Sequence, residues 1–315
     1  MYLFGFFVIQ YREKLKFTIL RNCVKNKKVG LVLSGGGARG LAHLGVLSVL
    51  EEQGVVFDLV VGASFGSIVA GYYGMGYTVD DMKKKAEEFE KSAEKQGTRL
   101  WHRFAAGRSA EEFFRRDFGE TRIEELRMPV FILATDLTSR EMHVFKEGPV
   151  ATAMRASSSF PGLFEPLLWK GHRYMDGGLL NSMMLKVAKD GGADLIIFSD
   201  VSVFGVVYRR PFLHFLLHVF LRLFSGEKMK KRGVEEKCGF FSLIQNVFCT
   251  VKKYKKQCEL YRKTLADFLI EPSLKKIRPL DFYRVEEAFT KGREAGRAHV
   301  DGILSAVRAL RQDRA

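Results

Sequence analysis

No apolar stretch among these 315 residues reaches the roughly 18 to 20 needed to cross a bilayer, so no membrane-spanning helix is expected. Cysteine is scarce. Cys23, Cys238, Cys249 and Cys258 are scattered without close pairing, which speaks against both a disulfide framework and a zinc site and fits a reducing cytoplasm. Internal repeats and low-complexity tracts are missing. The order of a secretory leader is missing too: Met1 to Ile9 is apolar with basic residues after it, the reverse of a signal peptide, and no small-residue cleavage site follows. Acidic residues are in short supply, 36 against 51 Lys and Arg, for a net charge of +15.

That excess suggests a nucleic-acid binder until it is divided along the chain. Residues 1–28 carry seven basic and one acidic residue, 29–200 carry 20 and 23, and 201–315 carry 24 and 12. The middle is slightly acidic and the flanks hold all the excess. The flanks are also apolar and aromatic, the composition of segments that lie on an anionic lipid surface. Solvated helix faces that happen to be basic are the competing reading. No nucleic-acid partner is expected.

What is present is an alternation of strands and helices. Lys28 to Leu33 reads as a buried strand, Ser34 to Gly37 as a turn, and Ala38 to Gln53 as a helix stopped by Gly54. Val55 to Val61 reads as a second strand, followed by a sharp turn and an apolar helix from Ser67. Thr78 with Asp81 predicts a capped helix through about Lys91, and Ser109 with Glu112 another. Further strands are expected at Met128 to Thr135, Glu141 to Phe145 and Asp194 to Ser199, a short hairpin at Trp169 to Met175, and a helix at Ser182 to Lys189. This order implies a mostly parallel sheet covered on both faces. After Asp200 the pattern turns helical, as a cap or lid. The expected division is an apolar, basic segment at 1–28, a core at 29–200 and a helical, basic region at 201–315.

Gly62-Ala63-Ser64-Phe65-Gly66 lies between the second strand and its helix. A serine at such an apex is pushed out for attack, and the flanking glycines permit the bend. The turn Gly35-Gly36-Gly37-Ala38-Arg39-Gly40 has two readings. It matches a dinucleotide-binding fingerprint, which also wants an acidic residue at the far end of the second strand; Asp58 sits near that strand's beginning instead. Alternatively, consecutive glycines at a helix start expose N–H donors for an oxyanion, and Ser64 on the neighbouring strand favours this reading.

A serine nucleophile needs a base. Of His43, His102, His143, His172, His214, His218 and His299, none lies in a late strand-end loop, and His43 reads as a structural core histidine. Asp176-Gly177-Gly178 follows the hairpin. A desolvated carboxylate beside two glycines can approach a serine closely and serve as base; a simple Asp-Gly turn is the bland reading. Further on, Pro211 to Phe224 predicts a helix of roughly 20 Å, with His214, His218 and Arg222 spaced by four. A lid or lipid-facing helix and a core helix compete here. A His214/His218 metal pair lacks a third ligand nearby. Lysine clusters at 228–232 and 252–256 suit anionic headgroups.

Gly35 to Gly40, Gly62 to Gly66 and Asp176-Gly177-Gly178, with Ala156-Ser157-Ser158-Ser159-Phe160-Pro161 between the last two, resemble the patatin-like phospholipase family in order and spacing over about residues 29 to 200. The resemblance implies a three-layer α/β/α fold and a Ser–Asp dyad acyl hydrolase needing no metal or other cofactor. Ser64 would be the nucleophile and Asp176 the base. The N–H groups of Gly35, Gly36 and Gly37 would form the oxyanion hole. Arg39 would anchor the loop or meet substrate phosphate, and Gly40, Gly62, Gly66, Gly177 and Gly178 would support the turns. The substrate would be an acyl ester of a membrane lipid. The protein would be cytoplasmic and peripheral at the inner face of an anionic membrane. Two departures stand out: Phe65 replaces a small residue, and the proline usual after Asn181 is absent within Ser182-Met183-Met184.

Overall fold

The structure, a computed structural model, describes residues 27–96, 108–161, 164–202 and 234–312. The apolar start of the chain, the helix expected at 211–224 and the lysines at 228–232 lie outside the described residues.

Eight strands form one sheet in the order β5-β6-β3-β2-β1-β7-β8, with β4 pairing on β3. They are β1 (Lys28–Leu33), β2 (Leu59–Ala63), β3 (Val130–Asp136), β4 (Glu141–Phe145), β5 (Leu167–Trp169), β6 (His172–Asp176), β7 (Ala193–Ser199) and β8 (Phe268–Ile270). β1, β2, β3, β7 and β8 run parallel; β4, β5 and β6 are antiparallel additions.

The central strands are apolar on both faces because both faces are covered. Val29, Leu31 and Leu33 of β1 and Leu195 and Ile197 of β7 face one core, which is closed by α1 (Ala42–Glu52), α2 (Phe65–Met75), α5 (Val150–Ser157) and α8 (Val285–Gln312). Val32, Ile196 and Phe198 point the other way, toward α6 (Met183–Asp190) and α7 (Val234–Thr264). The period of two divides one strand between two cores. Two more helices, α3 (Val79–Gln96) and α4 (Arg108–Phe118), also lie between β2 and β3.

The predicted cap at α3 is present: Thr78 Oγ1 accepts the Asp81 N–H at 3.1 Å, and Asp81 Oδ2 accepts the Thr78 N–H at 3.2 Å. β2 starts later than its apolar run suggests. Val55 and Asp58 donate their N–H groups to Leu50 and Val29 carbonyls as the chain enters the sheet. The helical reading after Asp200 missed β8, three residues that pair parallel with β7. α8 then packs along α1 so closely that a methyl group on Gly45 would lie 2.7 Å from the Arg293 nitrogen. No helix among the described residues is long and apolar enough to cross a membrane.

Candidate active site

The turn between β2 and α2 places Ser64 at φ 53° and ψ −126°, a backbone conformation that L-residues rarely adopt. Such strain costs on the order of 1–3 kcal/mol and persists only where neighbours enforce it. Here the Ser64 N–H donates to Ser157 Oγ at 2.8 Å, and the Ser157 hydroxyl in turn donates a hydrogen bond to the Leu133 carbonyl at 2.6 Å. The Ser64 carbonyl accepts from the N–H and hydroxyl of Ser67, at 2.9 and 2.6 Å. The glycines are required by close approach. A methyl group on Gly62 would meet the Gly66 carbonyl, and one on Gly66 would meet the Leu33 carbonyl. We therefore expect Gly66→Ala to destabilise the protein by more than about 3 kcal/mol, because backbone rather than a side chain would have to yield. Chemical denaturation checks this; a loss below about 1 kcal/mol would contradict it.

Asp176 reaches Ser64 through the sheet. β4 occupies one edge of β3 from Ile132 to Asp136. On the other edge β2 pairs as far as Leu133, opposite Ala63, and β6 takes over at Ala134, opposite Asp176. β2 and β6 thus abut end to end on successive residues of one strand. Ser64 leaves the end of the first, and Asp176 closes the second. The Ser64 hydroxyl donates to Asp176 Oδ2 at 2.7 Å, and the Gly178 N–H donates to Oδ1 at 2.6 Å. The Asp176 backbone is held by Ser159 and Thr135. Gly177 admits no side chain, since a methyl group there would meet the Leu133 carbonyl. Asp176 as a whole is 2% exposed. Burial raises its pKa to about 7, against the lowering effect of the Ser64 and Gly178 hydrogen bonds.

The glycine turn lies against both groups: a methyl group on Gly35 would sit 2.8 Å from Ser64 Cβ and 3.1 Å from Gly178 Cα. The three motifs are therefore in contact. One expectation needs correction. The Gly35 N–H does not face the space beside Ser64; it donates to Asn181 Oδ1 at 2.8 Å, while Asn181 Nδ2 donates to the Gly35 carbonyl at 3.4 Å. A side-chain amide can pair with both polar groups of one residue, and Asn181 does so here. Ala38 is engaged as well, donating to the Pro279 carbonyl at 2.8 Å. Among the described residues the N–H groups of Gly36 and Gly37, at the start of the 3-10 turn Gly37–Leu41, meet no acceptor.

His43 pins the same turn from behind. Its Nε2 donates to the Ser34 carbonyl at 2.9 Å, and its Nδ1 pairs with Ser199 Oγ at 2.8 Å. Burial lowers its pKa to about 4, so it is neutral. The peptide between Ser34 and Gly35 is thereby held at its oxygen by His43 and at its nitrogen by Asn181. His143 packs on Phe145 and Tyr174, His172 bonds Asp136, and His299 bonds the Ala295 carbonyl. His102, His214 and His218 lie outside the described residues, and no described histidine bonds to Ser64.

Arg39 is partly buried, which lowers its pKa, and its Nε meets no hydrogen-bond partner among the described residues. The Phe65 ring lies over Gly40, so tightly that a methyl group there would overlap it, and packs on Phe282 with centroids 6.2 Å apart. Asp58, the acid that a dinucleotide site would need, accepts the Val29 N–H at the opposite end of the strands. Neither Ser157, inside the Ala156 to Pro161 segment, nor Asn181, three residues after Gly178, was expected as a site residue.

A sheet of this order with a serine elbow at its carboxyl edge is the patatin architecture. The family model described as patatin-like phospholipase matches residues 31–189, and the chain belongs to that family. It is 36% identical over 196 residues to a lysophospholipase NTE1 of Meyerozyma guilliermondii, covering 60% of this chain and 14% of that one. It is 35% identical over 198 residues to mouse patatin-like phospholipase domain-containing protein 6, covering 59% and 14%. The chain thus spans about a seventh of the length of these curated relatives. Among solved structures, VipD from Legionella pneumophila matches with a TM-score of 0.48 at 14% identity, over 88% of this chain and 67% of that one.

Proposed function

We propose that this protein is a serine acyl hydrolase of the phospholipase or lysophospholipase type, acting on fatty-acyl esters of membrane lipids. The observation that carries the reading is the 2.7 Å hydrogen bond from the Ser64 hydroxyl to a buried carboxylate. Asp176 Oδ2 takes the Ser64 proton as Oγ attacks the acyl carbon. The N–H groups of Gly36 and Gly37 stabilise the oxyanion, with Gly35 serving through Asn181 to orient the turn. Asp176 then returns the proton to the departing alcohol. Water, deprotonated by the same carboxylate, releases the fatty acid and regenerates Ser64. The unpartnered Arg39 Nε supports contact with the substrate's phosphate rather than anchoring of its own loop. The basic, apolar flanks support peripheral attachment to an anionic membrane surface at the cytoplasmic face, and β8 and α8 support one working body with the core at 29–200.

Labelling with a fluorophosphonate, which phosphonylates activated serines, tests this directly. The adduct is expected on the peptide holding Ser64 and nowhere else, at a rate that falls as pH drops below about 7. Absence of label on the folded protein, or label on another serine, would overturn the assignment.

A further inference from the structure

The connection from β8 to α8 brings residues 275–284 over the proposed site. Pro279 accepts the Ala38 N–H through its carbonyl, and Gly37 packs so closely on Pro279 that a methyl group there would overlap its backbone. Phe282 packs on Phe65, the residue after the serine. The segment is internally braced. The Arg278 N–H donates to Asp281 Oδ2 at 2.8 Å, the Asp281 N–H donates to the Arg278 carbonyl at 3.1 Å, and Arg284 bonds the Lys276 carbonyl. Ile277 is buried beneath it.

The outer surface of this braced segment is the unusual part. Leu280 is 45% exposed and Tyr283 62% exposed, while Pro279, Asp281, Phe282 and Arg284 around them are half-buried. Lys275, Lys276 and Arg278 are exposed beside them, with no ion-pair partner among the described residues. The one acid of the segment, Asp281, is engaged by the Arg278 backbone. Five large apolar side chains stand out as exposed among the described residues: Val56, Leu168, Leu260, Leu280 and Tyr283, with Leu168 on the edge strand β5. Val56 precedes β2 and Leu260 lies one turn before the end of α7, both at the amino edge of the sheet. Leu280 and Tyr283 follow the carboxyl end of β8, on the edge that holds Ser64.

We propose that residues 275–284 are the surface by which this protein docks on an anionic bilayer, with Leu280 and Tyr283 entering the headgroup layer and Lys275, Lys276 and Arg278 meeting lipid phosphates and carboxylates. The occupant follows from the chemistry. Two separated apolar tips ringed by unpaired cations suit a soft, negatively charged interface into which each tip can insert. The family's substrate class is a lipid, and the segment stands at the rim of the site that would receive it. Docking there would face Ser64 toward the membrane, so a lipid need leave the bilayer only part way. The proposal rests on the hydrolase reading for its substrate, but the surface can be tested independently.

The experiment is co-sedimentation of the full chain with phosphatidylcholine vesicles, with and without about 30% phosphatidylserine, at low and high salt. It compares the parent with Leu280→Asp/Tyr283→Asp and with Lys275→Glu/Lys276→Glu. Thermal melting and turnover of a soluble nitrophenyl ester are measured alongside. The parent is expected to bind the serine-lipid vesicles at low salt, and each double variant to bind at least about tenfold more weakly. Melting and soluble-ester turnover are expected to stay within about twofold of the parent, since none of these side chains belongs to the dyad or the glycine turn. Variants that bind as the parent does overturn the proposal. So does a parent that ignores vesicles, a result that would redirect the surface to an acidic protein. A parent that binds vesicles through these residues yet hydrolyses no ester would sink the hydrolase reading and leave the docking surface standing.

Discussion

Asp176→Asn is expected to lower the rate of soluble-ester hydrolysis by about 10³- to 10⁴-fold while making the protein more stable at pH 8. Asparagine matches the shape of aspartate, can still accept the Gly178 N–H, and can still meet Ser64, but it cannot take a proton. The stability gain follows from linkage. Burial raises the Asp176 pKa from 3.8 to about 7. The folded protein therefore holds this proton more tightly than the unfolded chain does. Below pH 3.8 both states are protonated and the group is neutral to stability; as pH rises toward 7 the unfolded chain ionises first, and stability falls until the folded group has ionised too. Above pH 7 the penalty is complete, on the order of 4 kcal/mol. Asparagine removes it, so the variant's melting temperature should exceed the parent's by several degrees at pH 8 and match it near pH 4. For the parent, activity should rise with pH through about 7 as the base form appears. A variant that retains activity, or one that melts lower than the parent at pH 8, would count against the carboxylate's role.

The second large effect separates chemistry from strain at Ser64. Ser64→Ala and Ser64→Gly should both reduce turnover by at least about 10⁴-fold, because neither residue can form an acyl-enzyme. Their stabilities should differ in the unusual direction. Alanine keeps the cost of φ 53° and loses the hydrogen bond to Asp176, whereas glycine adopts that backbone freely. After allowing for the extra freedom of glycine in the unfolded chain, Ser64→Gly should be more stable than Ser64→Ala by about 1 kcal/mol. Urea denaturation of the two variants measures the difference. Equal stabilities, or a less stable glycine variant, would mean that the elbow stores no strain.

Much of this site could be read from the chain. Strand, glycine turn and helix are local events, each set by the residues inside it. Gly62 had to be glycine because of Gly66 and Ser67 in its own turn, whereas Gly66 had to be glycine because of Leu33 on the neighbouring strand; the Thr78 cap needed only Asp81 three residues on. The donors of the proposed oxyanion hole could not be read in this way. Consecutive glycines offer several equivalent N–H groups, and which of them remain free depends on Asn181 and Pro279, 146 and more than 200 residues away. Ser157 holds the Ser64 N–H from a helix 93 residues distant, through a bond that no periodicity announces. β8 is three residues long and leaves too short a pattern to separate it from the helices on either side.

The sequence by itself determined the elements, the two-sided burial of the central strands and the three motifs, because propensity, hydrophobic period and glycine spacing act over a few residues. The meeting of Ser64 with Asp176 was decided only by tertiary structure. It depends on β2 and β6 each pairing with the same edge of β3, which joins two residues 112 apart in the chain. Only the closed sheet can bury that carboxylate and bring its proton affinity near neutrality.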